Sequence, residues 1–257
     1  MHNNQRYVLL DTETGELIQD HSADAYVNGR YVRMGNSFIP ACKNIREVTI
    51  ARIVFLACCP RRADGSIGLK TDKKPMSKTD VASLMNLNFK QTKEFFEECD
   101  EIGVFTYNND GIQVNPRYFP VAGRMHRIGY IKIYKIPFKS LFYHTNPRSL
   151  ANIGNLLKLI PILSPIDNSL VSSYEGLRSD SEIVYTSYTA LKSIFNPRCP
   201  SAATSKIQNL LNLEVPIKGN IQKVFVENKG IFYFNPSVIS KISSYKKNFD
   251  YSMFLTK

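Results

Sequence analysis

Four apolar residues recur at helical spacing in the first strong element of the chain. Their intervals of three and four predict an amphipathic helix over residues 44–59. The four residues are Ile50, Ile53, Val54 and Ala57. Pro60 follows directly and should end this helix, because proline lacks a backbone N–H and its ring clashes with the preceding turn. A loop over residues 61–75, rich in Gly, Asp and Lys, is expected next.

A pair of helical patterns and a hairpin pattern follow this loop. Ser77, with Asp80 three residues later, is typical of a capped helix start. A second helix is expected over 89–102, because Gly103 is a common helix-ending residue. The inner faces are formed by Val81, Leu84 and Met85 in the first helix and by Phe95, Cys99 and Ile102 in the second. Residues 104–114 then predict two short strands around an Asn-Asn-Asp-Gly turn, the wing.

The second half of the chain repeats this order. Helices are expected over 150–163, with a kink or an end at Pro161, then over 185–195, and then from a capping Ser201 to about residue 213. A hairpin pattern over 222–234 completes the order. Both hairpins stop at an Asn-Pro pair, at Asn115-Pro116 and Asn235-Pro236, which lie 120 residues apart. Because helix, helix, hairpin is the order of a winged helix-turn-helix, we predict an α+β fold with two tandem winged helix-turn-helix domains and a short N-terminal β-hairpin.

This interpretation divides the chain into five segments. They are an N-terminal β-hairpin leader at 1–43, winged-helix domain 1 at 44–122, a basic aromatic linker at 123–148, winged-helix domain 2 at 149–240 and a basic C-terminal tail at 241–257. Within the leader, a hairpin over 7–18 should turn at Glu13-Thr14-Gly15, and residues 30–34 and 37–39 should be extended. The connection at 165–182 has no assigned role.

The duplication predicts two separate cores and two equivalent turns. The expected core sets are Ile53, Val54, Leu84, Phe95 and Ile102 in the first domain, and Leu156, Leu159, Leu191, Ile207 and Leu210 in the second. Gly111 and Gly230 are expected at equivalent turn positions, where a positive φ is cheap only for glycine or asparagine.

The charge of the chain indicates which kind of partner it binds. The chain of 257 residues has a formal net charge of +11, which suits a polyanionic partner. No carboxylate occurs over residues 111–166, while this segment holds eight cations. They are Arg117, Arg124, Arg127, Lys132, Lys135, Lys139, Arg148 and Lys158. Such an unopposed positive field favours phosphate as the ligand.

The sequence offers little for other classes of function. The five cysteines include no Cys-x-x-Cys pair and the four histidines are scattered, so no metal site or other cofactor is expected. The segment from Gly65 to Thr71 lacks the glycine directly before its lysine that a phosphate-binding loop requires. We therefore expect a protein that is not an enzyme. No apolar run is long enough for a membrane span and no secretory signal is seen, so a cytoplasmic location is expected.

Candidate DNA-binding residues lie in three places. The start of the 89–102 helix carries Asn88, Lys90, Gln91 and Lys93, whose amides and ammonium groups suit base edges and phosphates in a major groove. The acid-free segment contributes Arg117, Arg124, Arg127, Lys132 and Lys135. The corresponding helix of the second half contributes Ser201, Thr204, Ser205 and Lys206. With one positive charge, that second helix suits base reading or protein contact equally.

Residues 48–116 carry a resemblance to a known family. The run from Ser77 to Met85, the helix ending at Gly103 and the following wing resemble the winged-helix domain of replication initiators of plasmids and phages of Gram-positive bacteria. The resemblance implies binding of double-stranded DNA at repeated origin sequences, and recruitment of host helicase machinery without ATP hydrolysis. Host replication or transcription proteins are thus further expected partners.

Two alternatives stay open at this stage. One is a phage transcriptional regulator that binds an operator or host RNA polymerase. The other is a structural or virion protein that binds DNA without sequence preference. The DNA target and the oligomeric state, including a homodimer, are not determined by the sequence.

Overall fold

The computed structural model describes residues 8–10, 17–20, 31–60, 67, 75–108, 111–120, 130–173, 183–195, 199–241 and 250–256. Within these ranges the fold is mixed α+β, with eight α-helices and several small antiparallel sheets. The predicted α+β class is therefore confirmed.

The first half contains four helices and five strands. In chain order they are β1 (Val8–Leu10), β2 (Leu17–Asp20), β3 (Tyr31–Gly35), α1 (Phe38–Ala41), α2 (Glu47–Ala57), α3 (Lys78–Leu84), α4 (Phe89–Ile102), β4 (Phe105–Asn108) and β5 (Gly111–Val114). The antiparallel pair β1–β2 is the predicted leader hairpin, although its turn at 13–15 lies outside the described residues. Residues 37–39 were expected to be extended, but Phe38 and Ile39 instead begin the short helix α1, because both side chains are buried in the core after β3.

The second half follows the same order with additions. Its elements are β6 (Tyr130–Tyr134), α5 (Lys135–His144), α6 (Leu150–Leu157), β7 (Val171–Ser173), β8 (Val184–Tyr185), α7 (Tyr188–Phe195), α8 (Pro200–Leu211), β9 (Glu214–Ile217), β10 (Asn220–Lys223), β11 (Phe225–Asn228), β12 (Ile231–Phe234) and β13 (Ile239–Ser240). Single 3₁₀ turns lie at Pro147–Ser149, Ile160–Ile162 and Tyr251–Phe254.

Several expectations for the second half need correction. The 123–148 linker contains a strand and a helix, because Ile131, Ile133 and Phe138 are buried in the core and hold β6 and α5 in place. The helix expected over 150–163 ends at Leu157, and Pro161 lies in a 3₁₀ turn.

Two further corrections concern α8 and the hairpin expected over 222–234. Helix α8 begins at Pro200, so Ser201 lies inside the helix rather than capping it. The hairpin expected over 222–234 spans Phe225–Phe234, and residue 222 belongs to an additional hairpin, β9–β10. The last described residues of the C-terminal tail pack on this hairpin, where the Thr256 hydroxyl donates to the Ile221 carbonyl.

Each half contains the same set of hydrogen bonds around an asparagine, and the residues in the two sets are 120 positions apart. The Asn115 side chain donates to the Gly103 carbonyl, and the Asn235 side chain donates to the Lys223 carbonyl. Each asparagine also receives a backbone N–H at its side-chain oxygen, from Arg117 at 2.9 Å in the first half and from Ser237 at 3.0 Å in the second. The repeat is therefore seen in the hydrogen bonds of the structure as well as in the Asn-Pro pairs of the sequence.

The paired strands define which turn residues correspond. Phe105 pairs with Val114 in the first hairpin, and Phe225 pairs with Phe234 in the second, again at the offset of 120. Gly111 therefore corresponds to Ile231 and not to Gly230, so the expected equivalence of the two glycines is wrong. The positive φ of Gly111 instead accompanies a close approach, because a Cβ there would lie 2.5 Å from the Cβ of Pro75.

The two halves meet through corresponding elements. Strand β3 of the first half pairs antiparallel with β6 of the second, with Arg33 opposite Lys132 at the centre of the register. Helices α2 and α6 pack against each other so closely that Gly154 lies directly on the backbone of Glu47. Strand β13 completes a three-stranded sheet in the order β13-β6-β3.

A single hydrophobic cluster runs through both halves. The predicted residues Ile53, Val54 and Phe95 are buried, whereas Leu84 and Ile102 are only partly buried against the cluster. All five predicted core residues of the second half are buried, namely Leu156, Leu159, Leu191, Ile207 and Leu210. Because the cluster is continuous, the described parts of the two halves share one core and do not form two separate ones.

Candidate nucleic-acid interface

Helix α4 presents an exposed first turn on a buried body. Phe95, Phe96 and Cys99 fix the helix to the core, and α3 precedes it with a four-residue connection at 85–88. The predicted residues Asn88, Lys90, Gln91 and Lys93 are all exposed at the start of the helix. The structure therefore brings this group of four candidates together on one surface.

The two amide candidates form the cap of α4. The Asn88 side-chain oxygen accepts the Gln91 backbone N–H at 2.9 Å, and the Gln91 side-chain oxygen accepts the Asn88 backbone N–H at 3.1 Å. This reciprocal arrangement satisfies two of the N–H groups that a helix leaves unpaired at its start. A bidentate contact to adenine needs both the oxygen and the nitrogen of an amide. While the cap is intact, each of these oxygens is held towards the backbone by one hydrogen bond, and the amide N–H groups of Asn88 and Gln91 are the free donors for a base or a phosphate.

The two lysines of this turn extend into solvent. Lys90 is 86% exposed and lies 3.9 Å from Glu94, and Lys93 is 67% exposed and lies 3.8 Å from Glu97. Such loose, exposed pairs contribute little energy, so either ammonium group can move to a phosphate at low cost.

The nearest acids of α4 are held by a cation from another helix. Arg46, at the start of α2, donates to Glu94 at 2.6 Å and to Glu98 at 2.5 Å. The hydrogen bond from Arg46 lowers the pKa of the Glu94 carboxyl. Arg46 thus compensates two of the negative charges beside the exposed turn.

An exposed aromatic ring belongs to the same turn, and the sequence analysis did not identify it. Phe89, the first helical residue of α4, is 87% exposed. Its position seven residues before the buried Phe96 predicts an inward orientation, but Phe89 and the next two residues of the helix are all exposed. A phenylalanine at this point can contact the methyl group of thymine in a major groove.

Aromatic residues and a lysine join α3, α4 and the first hairpin. The Lys78 ammonium lies 4.2 Å from the centre of the Tyr107 ring and 4.9 Å from that of Phe96. Burial and a hydrogen bond with Asp100 raise the pKa of Tyr107. After the hairpin, the candidate Arg117 is exposed, with its guanidinium 5.7 Å from the centre of the Tyr118 ring.

Helix α8 is a weaker match to the expectation. The Thr204 and Ser205 hydroxyls donate to the backbone carbonyls of Pro200 and Ser201, so both donors are engaged within the helix. Burial acts to raise the pKa of Glu47, but a hydrogen bond from Lys158 and the charges of Lys158 and Lys206 outweigh it, and the pKa is lowered. The influence of Lys206 on Glu47 places its charge near the contact between α2 and α6.

The start of α8 carries the single exposed cysteine among the five of the chain. Cys199 precedes the first helical residue, and its Sγ lies 3.5 Å from the Ser201 hydroxyl oxygen. This hydrogen bond, together with nearby backbone N–H groups, lowers the pKa of the Cys199 thiol. The exposed Ser201 and Cys199 thus mark the end of α8 that corresponds to the exposed turn of α4.

The remaining candidate DNA-binding residues do not lie in the first turn of α4 or of α8. Arg124 and Arg127 lie outside the described residues. Lys132 lies at the centre of the three-stranded sheet, with its ammonium 5.7 Å from the centre of the Tyr31 ring. Lys135 begins α5 and is partly buried. The acid-free segment therefore supplies cations to several surfaces.

Searches for other kinds of site give no candidate in the described part of the chain. Among those residues, no group of three or more His, Cys, Asp or Glu side chains is close enough to hold a metal ion. None of the helices seen there has the length and apolar character needed to cross a membrane. Comparison with protein-family models, curated proteins and solved structures finds no match for this chain.

Proposed function

We propose that this chain is a sequence-specific, double-stranded DNA-binding protein in which each half is a winged helix-turn-helix unit. Helices α4 and α8 are the recognition helices, and the β4–β5 and β11–β12 hairpins are the wings. The observation that carries the proposal is the exposed first turn of α4. It combines Lys90, Lys93 and the donor groups of its cap, at the position where a recognition helix enters a major groove.

The order and repetition of the elements support the winged-helix assignment. In each half a short helix precedes a longer one, and a hairpin with the same asparagine network follows, although β9–β10 lies between α8 and this hairpin in the second half. A winged helix has this order, and its second helix reads the groove. A protein with two such units contacts two segments of duplex at once, which raises its effective affinity over that of one unit.

A role as a replication initiator of a plasmid or phage follows from the sequence resemblance together with the duplicated unit. In this role the protein binds origin repeats and needs no nucleotide hydrolysis of its own. DNA footprinting on the plasmid or phage that encodes the protein tests this role. Protected repeats beside the origin support an initiator, and one protected operator supports a transcriptional regulator. Uniform coverage supports a structural DNA-binding protein, and absence of protection overturns the proposal.

Substitution of Gln91 tests the recognition turn without removing its cap. Gln91→Glu keeps an oxygen that can accept the Asn88 N–H, but it removes the amide donor and adds a negative charge facing phosphate. We expect unchanged helix content and a loss of duplex affinity of at least about tenfold, as one lost base contact of 1–3 kcal/mol plus repulsion implies. The measurement is fluorescence anisotropy with a duplex enriched from a random pool.

Single lysine variants provide the matched control for this experiment. Lys93→Gln removes an exposed charge from the turn, and Lys43→Gln removes an exposed charge between α1 and α2. If α4 contacts phosphate, Lys93→Gln reduces the slope of log affinity against log salt by about 0.9, and Lys43→Gln leaves it unchanged. Equal slopes for both variants, with Gln91→Glu binding like the parent, would remove α4 from the interface.

A further inference from the structure

The outer face of the three-stranded sheet combines tyrosine rings with paired cations. Along β3 and β6 the residues alternate, so that Val32, Met34, Ile131 and Ile133 are buried beneath the sheet. The opposite face carries five partly exposed residues, namely Tyr31, Arg33, Tyr130, Lys132 and Tyr134. We call these five residues the tyrosine–cation face. It lies on elements that the proposed winged helices do not use.

The face has its two cations at the centre of the strand pair and tyrosine rings at both ends. Arg33 and Lys132 lie opposite each other at the centre, and Tyr31 lies opposite Tyr134 at one end. The Arg33 guanidinium is 4.9 Å from the centre of the Tyr130 ring, and the Lys132 ammonium is 5.7 Å from the centre of the Tyr31 ring. Tyr31 and Tyr134 meet edge to face at 5.9 Å. The face therefore presents two positive charges between aromatic rings.

From this geometry we infer a binding site for single-stranded nucleic acid on the tyrosine–cation face. Proteins that bind single strands combine aromatic rings, on which bases stack, with cations that follow the phosphates. Sheet surfaces suit this task because their outward side chains hold the rings at regular spacing. Tyr31, Tyr130 and Tyr134 are the stacking residues, and Arg33 and Lys132 bind phosphate.

The chemistry of the face favours a single strand over duplex DNA. In a duplex the faces of the bases are already stacked and cannot reach a flat sheet surface, whereas an unpaired strand can turn its bases onto the rings. The two central cations and the chain's net charge of +11 complement a polyanion. If α4 also binds duplex, as proposed above, the same protein can hold a duplex and a melted segment at two separate sites.

The absence of tryptophan allows stacking to be observed directly. The chain has 14 tyrosines and no tryptophan, so its intrinsic fluorescence comes from tyrosine and is quenched when bases stack on the rings. Titration with 15-residue oligo-dT and oligo-rU gives both quenching and affinity, and comparison of the two oligonucleotides separates DNA from RNA as the preferred strand. Binding of either oligonucleotide with quenching is expected for the full-length protein.

Two double variants test the role of the rings: one removes two rings, and the other keeps them without their hydroxyl groups. Tyr31→Leu/Tyr130→Leu should weaken single-strand binding by at least about 5-fold, because each lost stacked base costs about 1–3 kcal/mol. Tyr31→Phe/Tyr130→Phe keeps the rings and should bind like the parent. Tyr143→Leu removes an exposed ring of α5 and serves as the control, with no expected change. Thermal unfolding of each variant identifies loss of fold.

Separate outcomes distinguish this site from the α4 interface. Arg33→Gln should reduce the salt slope for oligo-dT by about 0.7 and leave duplex binding unchanged, whereas Gln91→Glu should affect only duplex. This test also holds if the leucine variant does not fold. The inference is overturned if the parent shows no quenching, or if Arg33→Gln and the leucine variant bind oligonucleotides as the parent does.

Discussion

Replacing Gly154 by alanine tests how the two halves are joined. A Cβ at Gly154 would lie 1.9 Å from the Glu47 carbonyl oxygen, 2.4 Å from its carbonyl carbon and 2.6 Å from its Cα. All three atoms belong to the backbone of α2 and cannot rotate away. Helices α2 and α6 would have to separate by about 1 Å to bring the first contact to 3.0 Å.

The expected free-energy change combines two opposing effects. Alanine is a better helix former than glycine by about 1 kcal/mol, which alone would stabilise α6. Overpacking typically costs about 1–3 kcal/mol and more where rigid groups collide. Because the collision is with backbone, we take about 3 kcal/mol for this cost. Gly154→Ala should then lose about 2 kcal/mol of stability and lower the Tm by about 4–8 °C.

Thermal unfolding by circular dichroism measures this change. Asn152→Ala, two residues away on the same helix, improves helix propensity without touching the Glu47 backbone and should leave the Tm unchanged or slightly raised. A Gly154→Ala variant as stable as the parent, or more stable, would refute the close approach of α2 and α6.

Three further predictions concern single residues. Asn168→Ala should cost at least about 3 kcal/mol in urea unfolding, because the buried Asn168 side chain donates to the Phe234 and Ile239 carbonyls and accepts the Lys241 N–H. Alkylation of Cys199 should reach half its maximal rate at a pH below that of a free thiol, and duplex DNA should slow it if α8 enters a groove. Glu47→Gln should destabilise the protein at neutral pH. The difference from the parent should begin to shrink below the unfolded Glu pKa of about 4.3 and disappear only below the lowered pKa of the folded state, because a lowered pKa stabilises only the ionised carboxylate.

Local signals predicted the elements that depend on local chemistry. Helix α4 has the expected bounds, and Gly103, which was expected to end it, adopts the left-handed conformation at φ 61°. The β1–β2, β4–β5 and β11–β12 hairpins were predicted from their turn residues. The additional hairpin β9–β10 was missed although its signal was present. Its Lys218-Gly219 turn has the same positive φ values as Lys229-Gly230, at 50° and 82° against 53° and 77°.

Features that depend on distant partners could not be predicted in the same way. Strand β6 was taken for part of a linker because its pairing partner β3 lies about a hundred residues earlier. The importance of Gly154 becomes visible only when Glu47 is beside it. For the candidate site, the sequence identified the exposed turn of α4. It did not show that Asn88 and Gln91 already use their side-chain oxygens as caps.

Selection of DNA from a random duplex pool tests the central claim most directly. The first turns of α4 and α8 differ in sequence, with Lys90, Gln91 and Lys93 in one and Ser201, Thr204 and Ser205 in the other. Two winged-helix units on one duplex should therefore enrich a bipartite site, in which two different motifs lie at a fixed spacing. Enrichment of no motif, or of a single motif that Gln91→Glu leaves unchanged, would contradict the account.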